Sequence, residues 1–141
     1  MASDLFTIKP GTLTLADLRN LHESGRPVAL DPGCWPAVAA SADTVSAVIR
    51  EHRTVYGINT GFGSLAHTRI ADDQVTELQR RLVLSHAAGV GPLLDDRTVR
   101  LMMILKVNSL ALGFSGIRRP VLEAMVTLIN AGAYPCAPSK G

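Results

Sequence analysis

Aromatic residues make up only 4% of the 141-residue sequence. The core of such a chain has to be built from Leu, Val, Ile and Ala. Cysteine is scarce as well: Cys34 and Cys136 lie far apart and form no CxxC pair. That argues against a disulfide framework or a zinc site, and it fits a reducing cytoplasm. Charge of neither sign dominates, with 14 Lys and Arg against 12 Asp and Glu and a net charge of +2. No basic stripe runs along the chain, which speaks against nucleic acid as a partner. A long uninterrupted hydrophobic run is also missing. The most apolar stretch, "LMMILKVNSLALG", is broken by Lys106, Asn108 and Ser109, so it reads as a buried helix and not as a membrane span. The start, "MASDLFTIKPG", has no basic-then-apolar layout of a secretory signal.

What is present is a chain of 47% hydrophobic residues, read as one segment over residues 1–141 without repeats or linkers. The pattern predicts helices joined by loops. Thr14 followed by Asp17 has the spacing of a capping pair ahead of Leu15, Leu18 and Leu21, and Gly25 closes that helix. "RPVALD" reads as a short extended piece. "PAVAASADTVSAVIREHR" reads as a helix with Val38, Val45, Val48 and Ile49 on its apolar face. Asp72 or Asp73 is expected to cap "QVTELQRRLVLSHAAG", which would stop at Gly89. Asp95 or Asp96 is expected to cap "RTVRLMMILKVNSLALG", which would stop at Gly113. Pro120 suits the first turn of a last helix, "PVLEAMVTLIN". The expected fold class is mainly α, with a short strand pair near the start. Residues 99–112 and 121–129 carry more apolar positions than this length of chain can cover, and "AYPCAPSKG" reads as leading onward into more protein.

The stretch with the most chemistry is "VYGINTGFGS", Val55–Ser64, with glycine at 57, 61 and 63. Each glycine costs a helix roughly 1 kcal/mol relative to alanine, so this is a loop. It lacks the lysine of a phosphate-binding GxxxxGK[ST] loop. Gly61, Gly63 and Ala66 match GxGxxG/A, but no helix follows at once and residues 80–84 offer "RRLVL" where an acidic residue belongs, so the match reads as accidental. Two readings of Tyr56 stand side by side. A loop tyrosine is commonly a packing residue with one hydrogen bond. Ringed by glycine, its hydroxyl also suits acid–base work at a small-molecule site. His86 likewise has two readings: a histidine resting on a helix C-terminal dipole, or one presented from a rigid helix end into a pocket. His22, His52 and His67 lie among polar neighbours and read as solvated, and no histidine pair has metal-ligand spacing.

Taken in order, "YGINTGFG" (56–63), "LVLSHAAGVG" (82–91) and "NSLALGFSGIRR" (108–119) resemble the aromatic amino acid ammonia-lyase family. The ending "YPCAPSKG" resembles the segment that leads into that family's Ala-Ser-Gly tripeptide. The tripeptide forms a methylidene-imidazolone, an electrophile made from the protein itself, and it is expected just beyond Gly141. The resemblance implies an all-α lyase of which this is an incomplete N-terminal part, inactive alone. It implies elimination of ammonia from L-histidine to give trans-urocanate, the first step of histidine degradation, in a cytoplasmic homotetramer with active sites shared between subunits. Tyr56 is the implied base. Gly57, Asn59, Gly61, Phe62 and Gly63 form the implied active-site loop, and Ser85 and His86 the implied pair around the substrate ring. No metal is implied. As a base, Tyr56 needs positive charge or hydrogen-bond donors close by, and the loop amides are candidates. A truncated, non-catalytic helical binding or assembly module of the same family, or a lyase acting on tyrosine or phenylalanine, are the alternatives. Relatives preferring those rings carry His-Leu or Phe-Leu where this sequence has Ser85-His86.

Overall fold

The computed structural model describes residues 4–63 and 67–140. Ala66 of the GxGxxG-like match and the side chain of Asp72 lie outside what it describes. The fold is mainly helical, with a parallel strand pair at the start, as the sequence implies. Strand β1 (Phe6–Ile8) pairs with β2 (Val28–Leu30), Phe6 opposite Val28 and Ile8 opposite Leu30. Helix α1 (Leu15–Ser24) is the crossover between them. Its N-terminus is the expected capping box. The Thr14 hydroxyl accepts from the Asp17 amide at 3.2 Å, and the Asp17 carboxylate accepts from the Thr14 amide at 2.9 Å. Gly25 ends the helix in the left-handed conformation.

Helix α2 (Trp35–Arg50) follows a single 3-10 turn, Pro32–Cys34, whose first amide pairs with Asp31. Val38 and Val48 are buried and Val45 is half-buried, but Ile49 faces outward, so the apolar face is narrower than expected. Helix α3 (Val75–His86) also differs from expectation at both ends. It is preceded by a 3-10 turn, Asp72–Gln74, and Gln74 occupies its N-cap without a side-chain capping bond, so an aspartate cap is not formed. It stops at His86, before Gly89.

Strand β3 (Val90–Leu93), α4 (Asp96–Leu110), α5 (Arg119–Asn130) and strand β4 (Pro138–Lys140) complete the chain. Asp95 caps α4 by accepting from the Thr98 amide at 3.0 Å, and Pro120 lies in the first turn of α5. Helix α4 is buried along one face only. Ile104 and Val107 are fully enclosed, whereas Met102 and Leu105 of α4 and Val121 and Leu128 of α5 remain exposed. β3 and β4 form an antiparallel pair that the sequence reading does not contain, with Val90 opposite Lys140 and Leu93 opposite Pro138. This explains Gly89. A Cβ there would lie 2.8 Å from the Pro138 ring, so the glycine clears space for β4 and does not end the helix.

The core is aliphatic: Ile8, Leu21, Val28, Ile104, Leu122 and Ile129 meet where the strand pair rests on α1, α4 and α5. Two polar side chains tie distant segments to it. Asn130 at the end of α5 both accepts from and donates to the backbone of Val28, at 2.9 and 2.8 Å, as a neighbouring strand would. Arg100 on α4, only 6% exposed, donates to the carbonyls of Leu21 and Arg26 at the far end of α1. A cation at a helix C-terminus complements the helix dipole.

Candidate active site

The loop after α2 is shaped by polar groups more than by the apolar side chains that flank them. Val55, Ile58 and Phe62 are half-buried, whereas Asn59 and Thr60 are fully buried. The Asn59 side chain accepts from the Val55 amide at 3.0 Å and donates to the Arg53 carbonyl at 2.8 Å. The amides of Ile58 and Asn59 both turn back to the Val55 carbonyl, at 3.1 and 3.3 Å. This makes a tight turn with Tyr56 and Gly57 at its tip. Gly57 has φ 80°, which an L side chain rarely adopts, and open space where a Cβ would be. Its glycine suits this backbone conformation. Gly63 is also left-handed, at φ 59°. The return limb is fastened by Gly61 N to Thr68 O at 3.1 Å and Ile70 N to Asn59 O at 2.9 Å. Thr60 and Arg69 form a bridge between them, and Arg69 also contacts the His52 ring at 2.8 Å. His52 and His67 are exposed as expected; His22 is half-buried instead.

Tyr56 is 63% exposed. Its ring packs edge-on against Phe62, centroids 5.9 Å apart and planes at 69°. It lines an open groove of about 730 Å³. One wall is the small-residue face of α2, from Ala37 to Val45, and the other is the turn Leu112–Gly116. That turn can lie so close because of its glycines. A Cβ on Gly113 would sit 2.6 Å from the Ala37 carbonyl carbon, and one on Gly116 2.3 Å from a Val45 methyl. The Ser41 hydroxyl accepts from the Gly116 amide at 2.8 Å and fixes the contact. Phe114, at the crest of the turn, is 90% exposed and borders the groove. The "GFSG" stretch thus helps to build the groove, a role its glycines hint at but sequence reasoning did not assign.

Ser85 and His86 close α3 as an exposed pair sharing one acceptor. The Ser85 hydroxyl donates to the Leu82 carbonyl at 2.9 Å, and His86 Nδ1 lies 2.8 Å from the same oxygen and 3.1 Å from Ser85 Oγ. A carbonyl only accepts, so His86 Nδ1 carries a proton. In the neutral ring Nε2 is therefore the acceptor. Val75, Leu78 and Leu82 form a half-buried stripe below the pair, and Val83 and Leu84 beside it are exposed. The groove that Tyr56 lines includes neither Ser85 nor His86. The chain thus brings Tyr56 together with Phe62, and Ser85 with His86. β4 pairs with β3, the strand that follows Ser85 and His86 in the chain. Its antiparallel register, Leu93–Pro138 then Val90–Lys140, carries the chain back toward the end of α3.

Among the described residues no three His, Cys, Asp or Glu side chains gather as a metal site, and no helix is long and apolar enough to cross a membrane. The family model for aromatic amino acid lyases matches residues 13–141. The chain is 58% identical over 134 residues to histidine ammonia-lyase of Psychromonas ingrahamii, covering 95% of this chain and 26% of that one. It is 57% identical over 134 residues to histidine ammonia-lyase of Vibrio cholerae, with the same coverage of 95% and 26%. Among solved structures, histidine ammonia-lyase from Trypanosoma cruzi superposes with a TM-score of 0.87 at 33% identity, over 97% of this chain and 26% of that one. The chain thus spans about a quarter of the length of the curated relatives it matches.

Proposed function

Because the chain belongs to the aromatic amino acid lyase family, we propose that it is the N-terminal part of an enzyme that eliminates ammonia from L-histidine to give trans-urocanate. The observation that carries the substrate choice is the Ser85–His86 pair at the end of α3, within a sequence 58% identical to a histidine ammonia-lyase. An imidazole ring carries one donor and one acceptor. With Nδ1 committed to the Leu82 carbonyl, His86 meets it as an acceptor at Nε2 and takes the substrate's ring N–H. The Ser85 hydroxyl supplies a second polar contact. An apolar ring would leave these groups unpaired, which is a strong basis for rejection.

In the elimination, Tyr56 takes the β-proton. The electron pair of that C–H bond becomes the new double bond, the C–N bond breaks, and ammonia leaves with its electrons. Exposure at the tip of the loop leaves the Tyr56 hydroxyl accessible to a substrate in the groove. Gly57, Asn59, Gly61, Phe62 and Gly63 hold that tip in place. The methylidene-imidazolone, once formed, supplies the electrophile that activates the substrate for loss of its amine. β4 is paired with β3, the strand that follows Ser85 and His86 in the chain, which is in keeping with such a group standing near that pair. The same reading makes the whole protein a cytoplasmic homotetramer with active sites built from several subunits. The apolar side chains exposed on α4 and α5 are in keeping with burial in such an assembly.

The test is a substrate panel. A complete enzyme carrying this sequence is incubated with L-histidine, L-tyrosine or L-phenylalanine, and urocanate or the corresponding aryl acrylate is followed by absorbance. Turnover of histidine with little of the other two is expected. Preference for tyrosine or phenylalanine overturns the substrate assignment, and no turnover of any of the three overturns the lyase reading.

A further inference from the structure

We infer that Asn59 is the positioning residue of Tyr56, fixing where the base stands without touching the substrate. The inference rests on the reading of Tyr56 as the base.

Tyr56 has little of its own to hold it. It is 63% exposed, and among the described residues its ring contact is one edge-on packing against Phe62, itself only half-buried. The position of the hydroxyl is therefore set by the backbone of the turn. Among the described residues, that backbone is tied by the side chain of Asn59. Asn59 is 1% exposed, and its amide group bonds the chain on the near side of Tyr56 at two points, the Arg53 carbonyl at 2.8 Å and the Val55 amide at 3.0 Å. Its own main chain adds two more ties, donating to the Val55 carbonyl at 3.3 Å and accepting from the Ile70 amide at 2.9 Å. One buried residue thus joins both limbs of the loop and closes the turn that carries Tyr56.

Asparagine is the side chain this geometry needs. The site demands one acceptor and one donor on a short arm, facing an N–H and a carbonyl. Aspartate offers only acceptors when ionised, so its second oxygen faces the Arg53 carbonyl. Alanine leaves both backbone groups without these bonds. Glutamine adds a methylene where there is no exposure to absorb it. A shift of the turn by about 1 Å is enough to cost a positioned base on the order of 100-fold in rate.

The experiment uses a complete enzyme carrying this sequence, with Asn59→Ala, Asn59→Asp, Tyr56→Phe and the Asn59→Ala/Tyr56→Phe double variant. Asn59→Ala is expected to lower kcat by about 100-fold with KM changed far less. The double variant is expected to be no slower than Tyr56→Phe alone, because a residue acting through the phenol has nothing left to position. Asn59→Asp supplies a second readout should Asn59→Ala fail to fold. The introduced carboxyl is buried against a carbonyl, which raises its pKa. Once protonated it again offers one donor and one acceptor, so its kcat relative to wild type should recover as pH falls. Losses that multiply in the double variant, unchanged kcat in Asn59→Ala, or an Asn59→Asp profile parallel to wild type each overturn the inference. A Tyr56→Phe single variant with normal turnover instead removes the base assignment itself, a result separate from any of these.

Discussion

Replacing Tyr56 by Phe removes one hydroxyl and nothing else. The ring's contact with Phe62 needs only its edges, so it survives, and the turn is closed by Asn59 and not by the phenol. A side chain 63% exposed contributes little to stability through its hydroxyl, so a change within about 0.5 kcal/mol is expected. The effect on catalysis should be far larger. A positioned acid–base group accounts for roughly 10²–10⁴-fold in rate, or about 2.7–5.5 kcal/mol of barrier. The comparison between the two magnitudes is the point of the experiment. Urocanate absorbance gives kcat and KM for the complete enzyme, and thermal unfolding of the same samples gives the stability change. A fall in kcat of about 100-fold or more with an unchanged unfolding temperature supports the assignment. Near-normal turnover would refute it and return Tyr56 to a packing role. Loss of turnover together with a large stability loss would refute the premise that the hydroxyl has no structural part.

Four further outcomes can be checked. His86→Leu should weaken histidine binding and narrow the gap in kcat/KM between histidine and phenylalanine, and Ser85→Phe with His86→Leu should narrow it further; unchanged ratios in a folded protein would leave His86 as a helix-end residue only. Arg100→Met should destabilise the fold by about 3 kcal/mol, since one buried and one half-buried carbonyl lose a charged donor, read as a lowered urea midpoint. Gly116→Ala should cost about 1–3 kcal/mol, because its Cβ would overlap the Val45 methyl and its φ of 70° suits glycine, and should also lower turnover by moving the turn off α2. Hydrogen bonds from the side chain and then the backbone of Thr14 hold the Asp17 carboxyl below its ordinary value of 3.8, and Thr98 does the same for Asp95. That stabilisation is complete above the unfolded value and is lost as pH falls through the lower folded one, so helicity by circular dichroism should drop below about pH 4 less steeply in Asp17→Asn and Asp95→Asn.

The features legible in the sequence are those whose cause is local. Thr14, Asp17, Gly25, Asp95 and Pro120 act on neighbours within a turn or two, and each stands where its local signal puts it. The features missed depend on partners far along the chain. Gly89 looks like a helix stop until Pro138 lies against it. Nothing near Arg100 in the sequence points to its acceptors, the Leu21 and Arg26 carbonyls far earlier in the chain. Ile49 fits the apolar spacing of α2, but it faces outward, 41% exposed. The same division holds at the site. Tyr56, Ser85 and His86 stand out by residue type and resemblance, whereas the weight carried by Asn59 appears only when its bonds to 53, 55 and 70 are traced.

The β3–β4 pair joins residues 90–93 to 138–140, so everything between them is a closed excursion. Tying the ends of so long a loop in a disordered chain costs on the order of 3 kcal/mol in entropy beyond a constant. Two short strands with irregular register, exposed throughout, return little against that cost. Pairing becomes affordable only once α4 and α5 have packed and brought the ends within reach. The expected order of folding is the packing of α4 and α5 first and the β3–β4 clasp last. In a hydrogen-exchange pulse during refolding, amides inside α4 and α5 should gain protection ahead of those in β3 and β4, and at equilibrium the clasp should be the first part to open.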